Sequence, residues 1–346
     1  MFIDLETIRK FSNECFHIAG VPEKESNIIT DVMLEADLRE IHSHGVLRLP
    51  VYIQRLKKKL VKNKAIITNA NETDAILQMN GNNSIGQIVA YQAIENSMLK
   101  AEGTGIGLVS VKNSNHFGIA SYYSLMAAEN NMIGIVLSNT APLMPAVGGT
   151  DKVIGNNPIS IASPLKDEYK IVLDMAISNT AFGKILDAKE KGENIPKDWG
   201  VNEKGLPTTD PNEILNGGLL SPVGGAKGFG LAFMIEILTG VLSGGKYSKM
   251  IPSMYDMTQN QSISYFMLTI DVKQLLSLDL YYESLDQLIS YVKKSKKSAN
   301  TEEIFLPGEI EFRKAKNNRT KGITINLQTY NNLKELGGEL GTKATI

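Results

Sequence analysis

The spacing of apolar residues changes once along this chain, and that change limits the folds that the chain can adopt. Residues 4–19 and 23–39 carry apolar side chains three and four positions apart, which predicts two amphipathic helices. A third helix is predicted over residues 46–60. From residue 73 onward the apolar residues form short runs rich in β-branched side chains, which are typical of strands. The sequence therefore predicts helices at the start and a sheet after them.

The runs that predict strands are separated in part by helical stretches. Strands are predicted at residues 75–79, 106–111, 133–138, 159–163, 171–175 and 263–272. Helices are predicted at 84–102, 119–130, 228–243, 282–297 and 309–317, the third of them buried. Only a few residues separate the fourth and fifth strands, which favours neighbouring or antiparallel strands. This mixture indicates an α/β or α+β fold rather than a regular doubly wound one.

Both ends of the chain are mainly helical, and they flank the segment that is rich in strands. A length of 346 residues exceeds one typical domain, so two lobes are expected. We expect a helical domain built from residues 1–74 and 280–346. A sheet-containing domain of residues 75–279 would then be inserted between its two parts.

Charge and cysteine content narrow the function classes. The net charge of −1 offers no electrostatic reason to expect a nucleic-acid or membrane partner. No apolar run approaches the ~18 residues of a transmembrane helix, and the first residues lack the apolar region of a signal peptide. The single cysteine, Cys15, cannot form an internal disulfide, which fits a reducing compartment. We therefore expect a cytoplasmic protein.

Two of the four histidines lie in small, polar, glycine-containing surroundings that are typical of loops. These are His44 and His116. Histidine titrates near neutral pH, so it can both accept and donate a proton. Arg48 follows His44 by four residues, and its guanidinium suits a carboxylate. The combination indicates proton transfer on a small organic acid, although a structural loop histidine and a surface salt bridge at Arg48 are the alternatives.

Other residues near these positions have weaker signals. Tyr52 lies one helical turn after Arg48 and would point the same way, where it could offer a hydroxyl to the substrate. His42 and His44 are spaced for a metal if they lie on a strand, but no suitable third ligand is evident, so no metal site is predicted. The glycine-rich segment 224–230 precedes a helix, which suits either a phosphate or a tight packing turn.

Six motifs occur in one order along the chain, and the similarity extends from about residue 3 to about residue 335. They are SHGVLR at 43–48, NSNHFGIASYY at 113–123, GNNPISIASP at 155–164, LDMAISNTAFGK at 173–184, GGAKGFGLA at 224–232 and LPGEIE at 306–311. Together they resemble the malate/L-lactate dehydrogenase family, the second type, which is unrelated in fold to the usual malate and lactate dehydrogenases. The resemblance implies a non-Rossmann, mixed-sheet cofactor domain inserted in a helical domain. The absence of a GxGxxG fingerprint from the sequence is consistent with that fold.

The resemblance also implies roles for particular residues. It places a catalytic histidine at His116, and His44 is the rival proton carrier. Arg48 would then hold the substrate carboxylate. Thr140 falls where members of the family contact cofactor or substrate. Cofactor contacts are carried onto Asp174, Met175, Ala176, Lys227, Leu306, Pro307 and Gly308.

The function implied is reversible hydride transfer between a nicotinamide and a small 2-hydroxy or 2-oxo acid, with malate as first choice. NAD is the expected cofactor, with NADP as the alternative, and the family implies a homodimer. Lactate, sulfolactate, ureidoglycolate, diketogulonate and cyclic imino acids are the alternative substrates. Family members acting on ureidoglycolate tend to carry an acidic residue where Ala141 stands, so Ala141 favours the simple acids. Outside the family, the alternative is a metal-dependent hydrolase using His42, His44 and a carboxylate.

Overall fold

The computed structural model describes the backbone of residues 1–346 and every side chain except that of Asp187. The α-helices are α1 (Leu5–Ile18), α2 (Glu23–Leu38), α3 (Leu49–Lys57), α4 (Gly86–Thr104), α5 (Ala120–Glu129), α6 (Phe182–Lys191), α7 (Pro211–Leu215), α8 (Ala226–Glu236), α9 (Leu278–Lys293), α10 (Glu309–Lys321) and α11 (Leu327–Leu340). The strands are β1 (Phe2–Ile3), β2 (Thr68–Glu72), β3 (Ile76–Asn80), β4 (Ile106–Ser114), β5 (Met132–Ser138), β6 (Pro142–Met144), β7 (Ile154–Gly155), β8 (Ile159–Ser163), β9 (Ile171–Met175), β10 (Gly200–Val201), β11 (Leu219–Leu220), β12 (Ile263–Asp271) and β13 (Ile323–Thr324). No helix in the described part of the chain is long and apolar enough to cross a membrane.

The helices at the two ends of the chain share one hydrophobic core. Phe11 of α1, Met33 of α2 and Ile53 of α3 are fully or almost fully buried, and they belong to the same cluster as Leu333 and Leu336 of α11. The termini are also joined through the pairing of β1 with β13. The first three predicted helices are confirmed, although two turns of 3₁₀-helix precede α3.

The central sheet is mixed, which confirms the predicted fold class. Its strand order is β2-β3-β4-β12-β5-β8-β9. Only β3 and β4 run parallel, and the other pairs are antiparallel. A Rossmann sheet is mostly parallel, so this topology is of a different kind. The fourth and fifth predicted strands are β8 and β9, and they pair antiparallel as expected.

Both faces of this sheet are covered. Val109 and Val111 of β4 belong to one core together with Ala93 of α4 and Tyr123 of α5. Leu108, which directly precedes Val109, packs against a separate core, which includes residues of α6 and α8. This alternation is what the period of two in a strand requires when both faces are buried.

The remaining helix and domain predictions had mixed outcomes. The predicted helix over residues 228–243 is confirmed, because α8 continues as a π-helix at Ile237–Val241. The prediction that this helix is buried is wrong for Leu231, Met234 and Leu242, which are 42%, 51% and 57% exposed. Helical spacing identifies an apolar side but does not say what covers it.

The domain boundaries stay a prediction. Residue Tyr281 of α9 contacts the sheet, since its hydroxyl lies 2.6 Å from Oγ of Ser163.

Candidate active site

A buried carboxylate shapes the turn that carries His44 and Arg48. Asp37, on the buried side of α2, accepts a hydrogen bond from the Val46 N–H at 2.7 Å and lies 3.0 Å from Nδ1 of His42. Gly45 passes directly over this carboxylate, since a Cβ at residue 45 would lie 2.1 Å from Oδ1 of Asp37. Sequence reasoning missed this role for Asp37, although an acidic residue on the apolar side of a predicted helix was a usable signal.

His116 lies in the loop that connects β4 to α5. Its backbone N–H donates to Oε1 of Gln261 at 3.2 Å. The loop is wedged against the start of α4, because a Cβ at Gly86 would lie 2.3 Å from the carbonyl oxygens of Asn115 and His116. The next residue, Phe117, is buried edge-on against Tyr265, with ring centroids 4.6 Å apart. The position of His116 is therefore set by packing on both sides of it.

The fold brings His44, His116 and Tyr52 together. The rings of His44 and His116 stack with centroids 5.3 Å apart and an interplanar angle of 23°. The Tyr52 hydroxyl lies 2.7 Å from Nδ1 of His116. The Gly118 N–H also lies within hydrogen-bond distance of Nδ1, at 3.3 Å. Nδ1 therefore has two hydrogen-bonding partners, and Nε2 is the ring nitrogen left to exchange a proton with a ligand.

Burial and a nearby cation keep both histidines neutral. Burial is the main cause that lowers the pKa of His44 to about 4, and the charge of Arg48 adds to it. Burial, then His44 and then Arg48, lower the pKa of His116 well below its usual value. Burial also raises the pKa of the Tyr52 hydroxyl, so it stays protonated. The site at neutral pH therefore holds one fixed positive charge beside two neutral imidazoles.

The charge of Arg48 has no acidic partner in the described part of the chain. Its Nε donates to the carbonyl oxygen of Ser43 at 2.6 Å. Its Nη1 donates to Sδ of Met254 at 3.3 Å and to the Tyr255 hydroxyl. No ion pair is formed with any of the described carboxylates, so the surface salt bridge considered from sequence is not present there. A cation hydrogen-bonded only to neutral groups suits the carboxylate of a ligand.

The predicted cofactor residues lie around the end of β9. Asp174 accepts a hydrogen bond from the Ser121 N–H, in the first turn of α5, at 2.9 Å. Burial raises the pKa of this carboxyl, and its hydrogen bonds to Ser121 oppose the increase. The Leu306–Gly308 turn lies against the same strand, since the Val172 N–H donates to the Pro307 carbonyl at 3.2 Å. A Cβ at residue 308 would lie 2.4 Å from Cγ1 of Val172, so glycine is required.

A chain of hydrogen bonds links Thr140 to the same region. Thr140 Oγ1 donates to Oδ1 of Asn156 at 2.9 Å. The Ile177 N–H, which lies just beyond Ala176, donates to the Asn156 carbonyl at 2.7 Å, and the Val223 N–H donates to the Ile177 carbonyl at 2.8 Å. Thr140, Ala176 and the start of α8 therefore belong to one connected region.

The start of α8 fits an anionic group of a cofactor. Gly224 and Gly225 have φ of +60° and +63°, and no atom lies within 4 Å of a Cβ placed on either. The first N–H groups of a helix lack partners within the helix and face its N-terminal end. Lys227 is exposed in this first turn. Open space, free donors and a cation together match the needs of a phosphate.

Not all predicted site residues meet. Within the described residues, no hydrogen bond or ring contact joins Thr140 or Lys227 to His44 or His116. The indirect connection is through Asp174, which holds the start of α5, the helix that follows the His116 loop. The two groups of residues thus lie on neighbouring elements.

His42 does not join a cluster of metal-binding side chains. It lies in a 3₁₀-turn beside Asp37, and the hydrogen bond to Asp37 raises its pKa. Among the described residues, no group of three or more histidine, cysteine, aspartate and glutamate side chains is placed to hold a metal ion.

Comparisons with known proteins show the family of the chain. A family model described as malate/L-lactate dehydrogenase matches residues 3–334. The chain is 37% identical over 345 residues to a malate/(S)-sulfolactate dehydrogenase of Methanothermus fervidus, covering 100% of both chains. It is similar in structure to the sulfolactate dehydrogenase from Methanocaldococcus jannaschii, with a TM-score of 0.93 and 36% identity, covering 99% of this chain and 98% of that chain.

Two more distant relatives have names that specify a nicotinamide cofactor. The ureidoglycolate dehydrogenase (NAD(+)) of Escherichia coli strain K12 is 28% identical, over 94% of this chain and 93% of that protein. The (2R)-3-sulfolactate dehydrogenase (NADP(+)) of Chromohalobacter salexigens is also 28% identical, over 83% of this chain and 85% of that protein. Both forms of the cofactor therefore occur among the similar proteins.

Proposed function

Because the chain belongs to the malate/L-lactate dehydrogenase family, we propose that it transfers hydride reversibly between a nicotinamide and a small 2-hydroxy acid, with malate as the first choice. The observation that carries the proposal is the guanidinium of Arg48, which lacks an acidic partner among the described residues and lies beside two neutral, stacked histidines. An acid that binds there would place its carboxylate on Arg48 and its C2 oxygen near an imidazole.

The residues of the chain then have separate tasks. Arg48 orients the acid through its carboxylate. His116 exchanges the proton of the C2 oxygen, with Nε2 as the atom facing the substrate, while the Tyr52 hydroxyl holds Nδ1. Binding of the carboxylate compensates the charge of Arg48, which is one cause of the low pKa of His116, so the ring gains a proton more readily in the complex. His44 is the second candidate for this proton transfer.

The nicotinamide, when bound, supplies the hydride chemistry, and the chain supplies its placement. We propose that Asp174–Ala176, Lys227 and the Leu306–Gly308 turn hold the cofactor, and that Thr140 contacts cofactor or substrate. The open, exposed start of α8 supports a phosphate position there. NAD is the first choice of cofactor, and NADP is the alternative.

Two observations favour malate over ureidoglycolate. The relative from Methanothermus fervidus is named for malate and (S)-sulfolactate, and it matches over the whole chain. Ala141 offers no acceptor to the N–H groups of ureidoglycolate, because its side chain is apolar and packs against the core beneath the sheet. Sulfolactate, lactate, ureidoglycolate and imino acids remain the alternatives.

We further propose a homodimer in the cytoplasm, without a nucleic-acid partner. Apolar side chains on and after α8 are exposed in the single chain, among them Phe233 at 50% and Val241 at 53%. Exposed apolar surface of this kind is typical of an interface. Light scattering after gel filtration is expected to give twice the mass of one chain, and a monomer would contradict the proposal.

The test of function is an assay of NADH and NADPH oxidation with a panel of 2-oxo acids headed by oxaloacetate and pyruvate. Turnover with oxaloacetate is expected, and the His116→Ala variant prepared in parallel excludes a contaminating activity. Turnover only with an imine or a ureido substrate would reassign the substrate. No turnover and no binding of either nicotinamide would contradict the proposed function.

A further inference from the structure

Residues 253–261 lie outside every sequence motif, and they contact both Arg48, the proposed carboxylate-binding residue, and His116, the proposed proton-transfer residue. The hydroxyl of Tyr255 accepts a hydrogen bond from Arg48, and the guanidinium lies 5.7 Å from the centre of the Tyr255 ring. At the other end of the segment, Gln261 accepts a hydrogen bond from the His116 N–H at 3.2 Å. The conformation of this segment therefore affects where Arg48 and His116 lie relative to each other.

The segment is held by a second arginine, which is buried. Arg55 of α3 is 2% exposed. Its Nη1 donates to the carbonyl oxygens of Met254 at 3.0 Å and Asp256 at 2.8 Å, and its Nη2 donates to that of Gln259 at 3.0 Å. It forms no ion pair with any described carboxylate. A buried guanidinium is costly to desolvate, and here the compensation comes from three carbonyls of one segment.

The segment also has internal hydrogen bonds that hold its shape. Oδ1 of Asp256 accepts from the Thr258 N–H at 2.9 Å, and Oδ2 accepts from Nε2 of Gln259 at 2.9 Å. Hydrogen bonds to Thr258 and Gln259 are the main causes that lower the pKa of Asp256 to about 2. The carboxylate is therefore ionised at neutral pH and stabilises the segment through hydrogen bonds within it. Arg55 holds the segment against α3.

We propose that Arg55 is a positioning residue of the active site, which holds residues 254–259 so that Tyr255 fixes the guanidinium of Arg48 for the substrate carboxylate. Tyr255 is then an additional residue that determines the affinity for the acid. The inference rests on the proposed function, since it assigns these residues to the binding of the 2-oxo acid. Arg48 and Arg55 lie two turns apart on the same stretch of chain. Arg55 holds residues 254–259 in place, and Arg48 is positioned by Tyr255 of that segment.

The test compares Arg55→Lys with the wild type. Lysine keeps the charge, but its donors lie on one nitrogen, so it cannot reproduce the contacts that Nη1 and Nη2 make with carbonyls in two directions. We expect KM for the 2-oxo acid to rise about tenfold, as the loss of one or two net hydrogen bonds implies, with the Kd for NADH unchanged. Hydrogen exchange should become faster within residues 253–261 and not in α1 or α2. The exchange measurement does not depend on turnover, so a failure of the proposed function would be distinguished from a failure of this inference.

Two further variants make the test specific. Arg9→Lys is the matched control, because Arg9 pairs with Asp31 of α2 and makes no hydrogen bond or ion pair with residues 253–261 among the described contacts, so it should change neither KM nor exchange in the segment. Tyr255→Phe removes only the hydroxyl that accepts a hydrogen bond from Arg48. It should raise KM for the acid about threefold, and this measurement remains possible even if Arg55→Lys does not fold. An unchanged KM for the acid in both site variants would overturn the proposal, as would an equal loss of NADH affinity or faster exchange throughout the helical core.

Discussion

The hydroxyl oxygen of Tyr52 lies 2.7 Å from Nδ1 of His116, a residue 64 positions later in the chain. This hydrogen bond joins α3 of the helical layer to the loop after β4 of the sheet. The sequence suggested that Tyr52 could offer its hydroxyl to the substrate, and that role stays a prediction. The contact supports another role, because a partner on Nδ1 fixes the direction of Nε2.

Tyr52→Phe removes this partner while keeping the ring. We expect kcat to fall about tenfold, because the imidazole loses one of the two groups that orient it, with little change in KM for the acid. Steady-state kinetics with the preferred 2-oxo acid measure both values. Tyr330→Phe on α11 is a matched control far along the chain and should behave as the wild type. Equal kcat values for the two variants would remove Tyr52 from the orientation of His116.

His116→Ala and His44→Ala separate the two candidates for proton transfer. We expect the His116 variant to lower kcat by about 10²–10⁴-fold, the usual range for the loss of an acid–base group. The His44 variant should lose less, since His44 stacks on His116 and supports its position. Both kcat values come from the same steady-state assay. Near-normal turnover without the His116 imidazole would transfer the role to His44.

Arg48→Lys tests the carboxylate contact. Lysine retains the positive charge but not the planar group that holds Ser43 and Tyr255 while it faces a ligand, so KM for the acid should rise about tenfold or more while the Kd for NADH stays the same. The first value comes from steady-state kinetics and the second from NADH fluorescence. If KM is unchanged for every acid that turns over, Arg48 does not bind the carboxylate.

The pH dependence of 2-hydroxy acid oxidation follows from the low pKa values of the histidines. The neutral ring accepts the proton in this direction, so activity falls only when the ring becomes protonated. An ordinary histidine would lose activity below about pH 6.5. Because the pKa of His44 is lowered to about 4 and the pKa of His116 is also lowered, kcat/KM should stay level from neutral pH to about pH 5. A decline centred near pH 6.5 would contradict the pKa shifts.

Glu236→Gln should reduce stability although the two side chains have the same shape. Glu236 is 5% exposed, and its two oxygens accept hydrogen bonds from Nδ2 of Asn157 at 2.6 Å and from the Ser248 N–H at 2.8 Å. A glutamine would place an NH₂ group against one of these donors. We expect the free energy of unfolding to fall by about 1–3 kcal/mol. Urea denaturation measures the change, with Glu283→Gln on the exposed side of α9 as control; equal stabilities would contradict it.

Much of the local structure could be predicted from the sequence. Gly105, with φ of +85°, ends α4 directly before β4, between the helix predicted at 84–102 and the strand predicted at 106–111. The edge strand β2 was missed because its residues are polar and exposed and carry no apolar alternation. At α8 the sequence showed an apolar side of the helix, but it could not show that this side is exposed.

Within the site, the residue types and motifs identified His44, Arg48 and His116, because imidazole and guanidinium chemistry is a property of the side chain alone. The depressed pKa values, the stacking of the two rings and the Tyr52 contact depend on burial and on distances between segments far apart in sequence, so only the tertiary structure decided them. The same holds for Arg55, which reads as one more basic residue in a run of lysines. The fold buries its guanidinium under three carbonyls, and no spacing along the chain could indicate that.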